Sequence, residues 1–402
     1  MTAMISIQPT HRLATLEAAR LLKMASSTHA YVRGNTIKFY EWLAASPAAA
    51  ALPDAPAIWI CGDCHLGNLG PLADADGAVE IQIRDLDQTV IGNPAHDLIR
   101  LGLSLATAAR GSDLPGVTTA LMIEQMVEGY ELALDNPDNI STPEPDAVRA
   151  VRRRALGRGW KQLAAERIGD ETPSLPRGKK FWRLTAAERA GLDKLFDDDA
   201  VRAMILTLAH RDVGDKVRLL DAAYWMKGCS SLGKARYAAI VAVGGSKKAP
   251  DSIALIDLKE AVAAAAPVAK QTAMPRDDAE RVVAGALALA PHLGERMLAT
   301  HLLGKPMVLR ELMPQDLKLE VDQFSRSQAI KAARYLAFIV GKAHARQMDN
   351  SERASWRAAL LDHHRAGIDA PSWLWRSVVD LIASHEAGYL EHCRRYALAK
   401  AS

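Results

Sequence analysis

Three short polar segments in the first quarter of the chain carry residue types suited to phosphoryl transfer. They are GDCHLGN at residues 62–68, DLD at 85–87 and GNPAHDL at 92–98. Transfer from a nucleotide to a hydroxyl requires a carboxylate that accepts or orients the proton, and oxygen ligands for Mg²⁺. The order of residues predicts Asp63 as the base. Asn68 and Asp85 are the predicted magnesium ligands, with Asp87 as an auxiliary one.

Other residues of this part of the chain fit supporting roles. Asp97 is expected to brace the loop through backbone amides, and His65 to hold it by hydrogen bonds. For Arg33 two partners stay open, a phosphate and an internal carboxylate.

Residues 61–65 also match the C-x-x-C-H spacing of c-type haem attachment. We do not favour it, because the first residues lack the basic and apolar stretches of a secretory signal and Cys61 ends an apolar run. A thioredoxin-like redox pair is disfavoured as well, since this C-x-x-C does not open a helix in a strand-helix-strand unit. Asp, Asn and Gly are also common in turns that carry no chemistry.

A second group of candidates lies near the middle of the chain. The loop GCSSLG at 228–233 brings the backbone close to a ligand, and its predicted nucleotide-binding residues are Gly228, Ser230, Ser231 and Gly233. Lys259 follows an apolar strand, and a cation there needs an anionic partner. A phosphate, Glu260 or a carboxylate of the next helix could supply it, and Glu280 is our choice. An ordinary edge lysine beside a solvated helix is the competing interpretation.

The elements that position these residues follow from hydrophobic periodicity. Short strands are predicted at 57–61 and 79–83, so that Asp63 and Asp85 both lie just past strand ends. Further strands are predicted at 219–227, 235–243 and 252–258, with a hairpin over 297–312. The predicted helices are 12–45 with an interruption near 31–34, 97–110, 117–134, 147–169, 186–210, 277–290, 327–346 and 373–400.

Composition describes a globular chain. Of its 402 residues 49% are hydrophobic, and 50 basic against 47 acidic side chains give a charge of +3. That balance implies no polyanionic partner by itself, although the basic segment 149–183 keeps nucleic-acid binding open. No apolar run reaches the roughly 18 residues of a membrane span, so no membrane partner is expected. Four cysteines do not form a disulfide framework, and a reducing cytoplasm is the expected setting.

The motifs at 62–68, 85 and 92–98 resemble the catalytic and metal loops of the aminoglycoside phosphotransferase and choline kinase branch of the protein-kinase-like fold. Nearly the whole chain resembles the bacterial family called domain of unknown function 2252, through segments at 31–34, 228–233, 259–261, 281–283 and 309–311. The kinase-like resemblance implies ATP or another nucleotide with Mg²⁺ as cofactors. It also implies that Lys259 and Glu280 form a phosphate-positioning ion pair.

The resemblance implies an α+β, protein-kinase-like fold of two lobes in circularly permuted order, since the catalytic loop here precedes the small-lobe elements. The helical large lobe would begin in 1–140, with a basic helical insertion or connection at 141–215. The small antiparallel sheet lobe would follow at 216–320, and helices of the large lobe would close the chain at 321–402. A hinge is expected near 311–314.

The predicted function is ATP- and Mg²⁺-dependent phosphoryl or nucleotidyl transfer to an unknown small-molecule or protein acceptor. A catalytically inactive nucleotide-binding regulator is the first alternative. A nucleic-acid-binding protein acting through the basic segment is the second.

Overall fold

The structure is a computed structural model that describes residues 7, 9–47, 51–135, 137, 140–169, 172–208, 211–228, 232–245, 252–319, 325–361 and 370–396. The fold is a mixed α and β architecture with antiparallel sheets. One six-stranded sheet is formed by the middle of the chain. Helices from both ends of the chain, together with two small two-stranded sheets, build the remainder.

The six-stranded sheet is antiparallel throughout. Its strands are, in spatial order, β5 (Phe181–Trp182), β6 (Val217–Trp225), β7 (Arg236–Val243), β8 (Ser252–Glu260), β10 (Lys305–Glu311) and β9 (Met297–Leu302). Between β8 and β9 the chain forms helices α10 (Asp278–Leu289) and α11 (Pro291–Gly294). β10 leads through residues 312–319 toward the helical part of the molecule.

Alternation along the strands gives the sheet two different faces. The outer face, which includes Tyr237, Ile256 and Leu309, packs on three helices. These are α1 (Arg12–Met24), α8 (Ala186–Phe196) and α9 (Asp199–Leu206). The opposite, inner face is covered in part by helix α7 (Trp160–Arg167), whose Leu163 and Ala164 share a buried cluster with residues of that face.

The helical part has the largest buried core of the molecule. Its helices are α2 (Thr28–Gly34), α3 (Thr36–Ala45), α4 (Ala95–Gly111), α5 (Gly116–Asp135), α6 (Asp146–Leu156), α12 (Arg326–Ala345), α13 (Asn350–Leu361) and α14 (Ser372–Tyr396). α5 and α12 lie side by side at very short range. A Cβ atom on Gly129 would lie 2.0 Å from the Arg334 carbonyl oxygen, so only glycine permits this approach.

Two small antiparallel pairs frame the loop that contains Asp63. Strands β1 (Ile58–Ile60) and β4 (Val90–Gly92) form one pair, and β2 (Leu69–Ala73) and β3 (Val79–Ile83) form the other. The loop therefore leaves one pair after Ile60 and enters the other at Leu69, through a 3₁₀ turn at Leu66–Asn68.

Most predicted elements are present with ends within two residues of the expected positions. The interruption expected near 31–34 is wrong, because Thr28–Gly34 forms α2 and the breaks lie at 25–27 and at Asn35. Two other predicted helices are each divided in two. The helix predicted at 147–169 is interrupted around Gly157, between α6 and α7. The helix predicted at 186–210 is interrupted at Asp198, whose side chain accepts hydrogen bonds from the Ala200 and Val201 backbone amides and so caps the start of α9. β2, β4, β5, α11 and α13 were not predicted. The strands are short, β2 is buried on both faces, and α13 buries only Trp356 and Leu360, so none of them shows a clear period of apolar residues.

Segments from several parts of the chain contribute to the sheet region. α1 belongs to the predicted region 1–140, and α7, α8 and α9 belong to the predicted region 141–215. All four helices nevertheless pack against the sheet, most of which lies in the predicted region 216–320. α6 instead packs on the helical core through Val148 and Val151. In the part of the chain that the structure describes, no helix has both the length and the apolar character needed to cross a membrane.

Candidate functional site

Asp97 lies directly beneath the loop that follows β1. Its Oδ2 accepts from the Cys61 backbone N–H at 2.7 Å and its Oδ1 accepts from the Gly62 N–H at 2.9 Å. Gly62 has φ +72, and a Cβ there would lie 2.1 Å from the Gln88 carbonyl oxygen. A carboxylate at the start of α4 and a glycine thus fix the direction in which the chain turns into Asp63.

Asp97 is in turn held by a buried chain of side chains from three helices. His344 of α12 lies with Nε2 3.1 Å from Asp97 Oδ2, and its Nδ1 lies 2.9 Å from the Tyr130 hydroxyl. Trp356 of α13 donates to that hydroxyl at 3.0 Å. Because every member of this network is buried and hydrogen-bonded, the loop has a rigid support.

Asp63 is buried and makes an ion pair with Arg100 of α4. Arg100 Nε donates to Asp63 Oδ1 at 2.8 Å, and the Arg100 side chain has no solvent exposure. Burial raises the pKa of Asp63, although the neighbouring guanidinium opposes the rise. A carboxyl whose pKa is shifted toward neutrality is better suited to accept a proton in catalysis than an ordinary aspartate.

Asn68 and Asp85 lie beside Asp63. Asn68 Nδ2 donates to the Asp63 carbonyl oxygen at 2.9 Å, which leaves the carboxamide oxygen as the atom able to coordinate a cation. Burial alone would raise the pKa of Asp85, but the nearby charges of Lys259, Arg310 and Arg236 outweigh it and hold that pKa below its ordinary value. Asp85 is therefore a carboxylate at any physiological pH.

Lys259 reaches these carboxylates from the sheet. Its Nζ lies 3.5 Å from Asp85 Oδ1 and also forms an ion pair with Asp87. The structure thus brings Lys259, on β8, to residues more than 170 positions earlier in the chain.

Glu280 is not the partner of Lys259, which corrects the ion pair expected from the sequence. The Glu280 side chain is exposed, because the buried stripe of α10 contains Ala279, Val282 and Ala286 and Glu280 points away from it. Arg281, the next residue, is the buried one. Its guanidinium donates to the carbonyl oxygens of Thr89 and Val262, and so ties α10 to the segment after Asp87.

A cavity of about 270 Å³ opens on one side of Asp63, Asn68 and Asp85. Basic side chains outnumber carboxylates by eight to three in its lining. Six of them lie toward the sheet and the 312–318 connection: Arg84, Arg167, Lys227, Arg236, Arg310 and Lys318. Burial, and after it the charge of Arg236, lowers the pKa of Lys227 well below its ordinary value, so the arginines supply most of the charge. Burial lowers the pKa of Arg84 to about 10, which still leaves it charged at neutral pH.

The inner face of the sheet supplies part of this charge. Arg236 Nε donates to Asp257 Oδ1 at 2.8 Å, and Arg310 Nη2 lies 3.6 Å from Asp257 Oδ2. Lys227 Nζ lies 3.8 Å from the centre of the Trp225 ring. Asp257 balances at most one of the two guanidinium groups, so this end of the cavity remains positive.

A second cavity, of about 590 Å³, meets the same three residues from the other side. Its walls include Ile37, Tyr40 and the segment 262–265, together with Glu41 and Lys234. Asp63, Asn68 and Asp85 therefore lie at the boundary between a cation-rich cavity and a larger cavity whose walls are partly apolar and carry charges of both signs.

His65 and Arg33 pack together at the edge of the cation-rich cavity. His65 is buried, and burial followed by the charge of Arg33 lowers its pKa well below the ordinary value. A Cβ on Gly67 would lie 3.1 Å from Arg33 Cζ and 3.2 Å from the His65 ring. Arg33 thus lies against residues 65–67 of this loop and lines the cavity.

Cys61 and Cys64 are free and completely buried. A hydrogen bond to Cys64 and burial raise the pKa of the Cys61 thiol well above its usual range. Protonated, buried thiols are poor nucleophiles and poor attachment points, so the haem and thioredoxin-like interpretations gain no support.

The glycine-rich loop connects β6 and β7. Gly228 and Gly233 both have φ +100, and Gly228 lines the cation-rich cavity. Lys23 of α1 donates to the Gly228 carbonyl oxygen at 2.8 Å. The predicted phosphate contacts Ser230 and Ser231 lie outside the described residues.

The donor set fits a magnesium ion that arrives with a nucleotide. Within the described ranges, His, Cys, Asp and Glu side chains form no group of three or more that could hold a metal by themselves. Mg²⁺ usually takes one or two carboxylates and completes its octahedron with water and substrate phosphate oxygens. Asp85 and Asn68 could supply the protein ligands in that pattern, with Asp87 beside them and paired with Lys259.

Residues 12–395 match the model of a bacterial family described as "Uncharacterized protein conserved in bacteria". The chain belongs to the domain of unknown function 2252 family. No curated protein and no solved structure matches it. In this member of the family, the matched region includes every described residue of the candidate site.

Several site residues of this domain of unknown function 2252 protein were missed in the sequence. Arg100 and Asp257 each interrupt an apolar stretch of a buried helix or strand. A charge in such a position requires a buried partner, and this was the signal available. His344 gave no comparable signal, since a histidine in an amphipathic helix is compatible with many environments.

Proposed function

We propose that the protein binds a nucleotide with Mg²⁺ between the sheet and the helical part and transfers a phosphoryl or nucleotidyl group to an acceptor. The observation that carries this proposal is the meeting of Asp63, Asn68 and Asp85 at the boundary of two cavities, with Lys259 paired to Asp85 from a smaller neighbouring pocket. A base, two oxygen ligands and a lysine are the groups that transfer from a nucleotide uses.

Each residue has one role in this proposal. The Asp63 carboxylate accepts or orients the proton of the acceptor hydroxyl, and Arg100 fixes its direction. Asn68 and Asp85 hold Mg²⁺, which would neutralise charge on the phosphates. Lys259 lowers the pKa of Asp85, forms an ion pair with Asp87 and lies within reach of a phosphate bound beside them.

The connectivity supports a protein-kinase-like fold in circularly permuted order. β6, β7 and β8, helix α10 and the pair β9 and β10 lead through residues 312–319 into the long helix α12. The end of α12 meets the start of the catalytic segment, because Trp59 N donates to Gln347 Oε1 and Gln347 Nε2 donates to Trp59 O. A connection made there would restore the order sheet, long helix, catalytic loop.

Replacement of Asp63 tests the catalytic role. Asp63→Asn keeps an acceptor for Arg100 but removes the base, so turnover of Mg–ATP should fall by about 10² to 10⁴-fold while nucleotide affinity is largely retained. Calorimetric titration and product chromatography measure the two quantities, with the exposed Asp199→Asn as a matched control. Wild-type turnover in Asp63→Asn would remove Asp63 from this role. Nucleotide binding without any turnover in the unaltered chain would favour a regulatory binder.

The structure gives little support to nucleic-acid binding through the basic segment. Arg152 and Arg158 are paired with Glu144 and Glu166, and Arg177 with Asp221. Arginines that are already paired release fewer counterions on binding a polyanion. Binding of duplex DNA that weakens steeply with salt and with reversal of charge at residues 152–154 would restore this alternative.

A further inference from the structure

The lining of the cation-rich cavity is mainly charged and contains no Phe, Tyr or Trp ring among the described residues; its apolar side chains are Leu72, Leu163, Leu312 and Met313. The apolar residues of the inner sheet face, including Ala238, Ile240 and Leu255, are covered by Leu163 and Ala164 of α7. Beside them Asp257 forms ion pairs with Arg236 and Arg310. The space that remains is bordered mainly by charged groups.

The backbone of the connection after β10 is also occupied. Leu312 N–H donates to the Leu255 carbonyl oxygen at 2.9 Å, and Met313 N–H donates to Asp316 Oδ2 at 3.4 Å. The Pro314 carbonyl oxygen accepts from Arg158 Nε at 2.6 Å. These groups are therefore not free to read the edge of a base.

Unsatisfied polar atoms in the same cavity call for an anionic ligand. Arg84 Nε and Arg167 Nε are buried without a hydrogen-bond partner among the described residues. Both guanidinium groups border the cavity. Phosphate oxygens are the acceptors that arginine binds most strongly, through charge-assisted hydrogen bonds.

We propose that the triphosphate lies in the cation-rich cavity and the nucleoside on the side of the larger cavity, which makes the α-phosphorus the reacting atom and the reaction nucleotidyl transfer. This proposal rests on the proposed function. Asp63, Asn68 and Asp85 border both cavities. A nucleotide that spans the boundary with its phosphates in one cavity and its nucleoside in the other brings the α-phosphate to those residues.

The acceptor hydroxyl attacks the α-phosphorus from the side of the larger cavity, and its proton passes to the Asp63 carboxylate. A bond forms between the acceptor oxygen and the α-phosphorus, while the bond from that phosphorus to the bridging oxygen of the β-phosphate breaks. Pyrophosphate leaves with the electron pair into the cation-rich cavity, in line with the attacking oxygen.

Products from ATP distinguish the two reactions without knowledge of the acceptor. The full chain is incubated with Mg²⁺ and ATP labelled at the α- or the γ-phosphate, with water and the chain itself as acceptors. We expect AMP, pyrophosphate and α-label on the chain. ADP with γ-label or inorganic phosphate would overturn the orientation and leave the proposed group transfer intact. Neither product, with nucleotide bound, would overturn both.

Binding of inorganic tripolyphosphate tests the orientation independently of turnover. Arg167→Gln and Lys318→Gln should each weaken the affinity for Mg–tripolyphosphate by about tenfold, since hydrogen bonds to charged groups contribute about 1.5–3 kcal/mol. Adenosine affinity should not change. The exposed Arg154→Gln, outside the cavity, is the matched control. Loss of adenosine affinity in Arg167→Gln, with tripolyphosphate affinity retained, would overturn the proposal.

Discussion

The two faces of the six-stranded sheet use alternate residues of the same strands but serve different purposes. On β8, Ile256 and Leu258 point to the outer face and join an apolar core with α1, α8 and α9. Asp257 lies between these two residues and points inward to an arginine. Lys259 follows Leu258 and points inward to Asp85. One strand thus stabilises the fold with one set of side chains and builds the site with the other.

The largest effect is expected from the inner face. Asp257→Ala leaves Arg236 buried without its carboxylate, and breaking a buried pair by removing one partner costs about 3–5 kcal/mol. The free energy of unfolding, measured with denaturant, should fall by that amount. The double variant Asp257→Ala with Arg236→Met should recover much of the loss. If the free energy of unfolding of the single variant decreases by less than about 1 kcal/mol, the ion pair on the inner face contributes no more than a surface salt bridge.

The neighbouring outer residue provides the contrast. Ile256 is completely buried, and Ile256→Ala should lower the free energy of unfolding by about 2–5 kcal/mol through lost burial and a cavity. Nucleotide affinity, measured by titration well below the melting temperature, should not change. A large loss of affinity in this variant would break the separation between the two faces.

Lys259→Met sharpens the comparison on the inner face. The carboxylates of Asp85 and Asp87 are partly exposed, so stability should change little. Affinity for Mg–nucleotide should fall by about tenfold, the equivalent of about 1.4 kcal/mol. Removal of Lys259 also removes a charge that lowers the pKa of Asp85, so affinity should weaken further as the pH falls. Unchanged affinity at pH 5.5 and 7.5 would show that Lys259 has no part in the site.

The last expected effect appears at acid pH, and it distinguishes the helical part from the sheet. Burial lowers the pKa of His29 and His96 to about 4 and that of His385 to about 3. The folded state favours the neutral imidazole, so this stability is present above the unfolded pKa of about 6.5 and is lost as the pH falls toward 4. Hydrogen exchange at pH 5 should quicken in α2 and α4 before β7 and β8. Equal protection in both parts would contradict this.

Local elements of this fold followed from sequence, whereas its long-range pairs did not. The period of apolar residues located β7, β8, α5 and α12 within two residues, because each buries one face or is buried on both. The partner of Lys259 was predicted incorrectly. Helical phase directs Glu280 to solvent, and tertiary packing brings Asp85 and Asp87 to the lysine instead.

The sequence by itself determined the family and located the polar motif from Gly62 to Asn68, because a short contiguous loop motif can be recognised without knowledge of its tertiary contacts. Only the tertiary structure decided what surrounds it. Arg100, Asp257 and the cations near Arg84 come from distant parts of the chain, and a buried charge finds its partner in space rather than in sequence. The charge of the cavity therefore became visible only after folding had brought these side chains together.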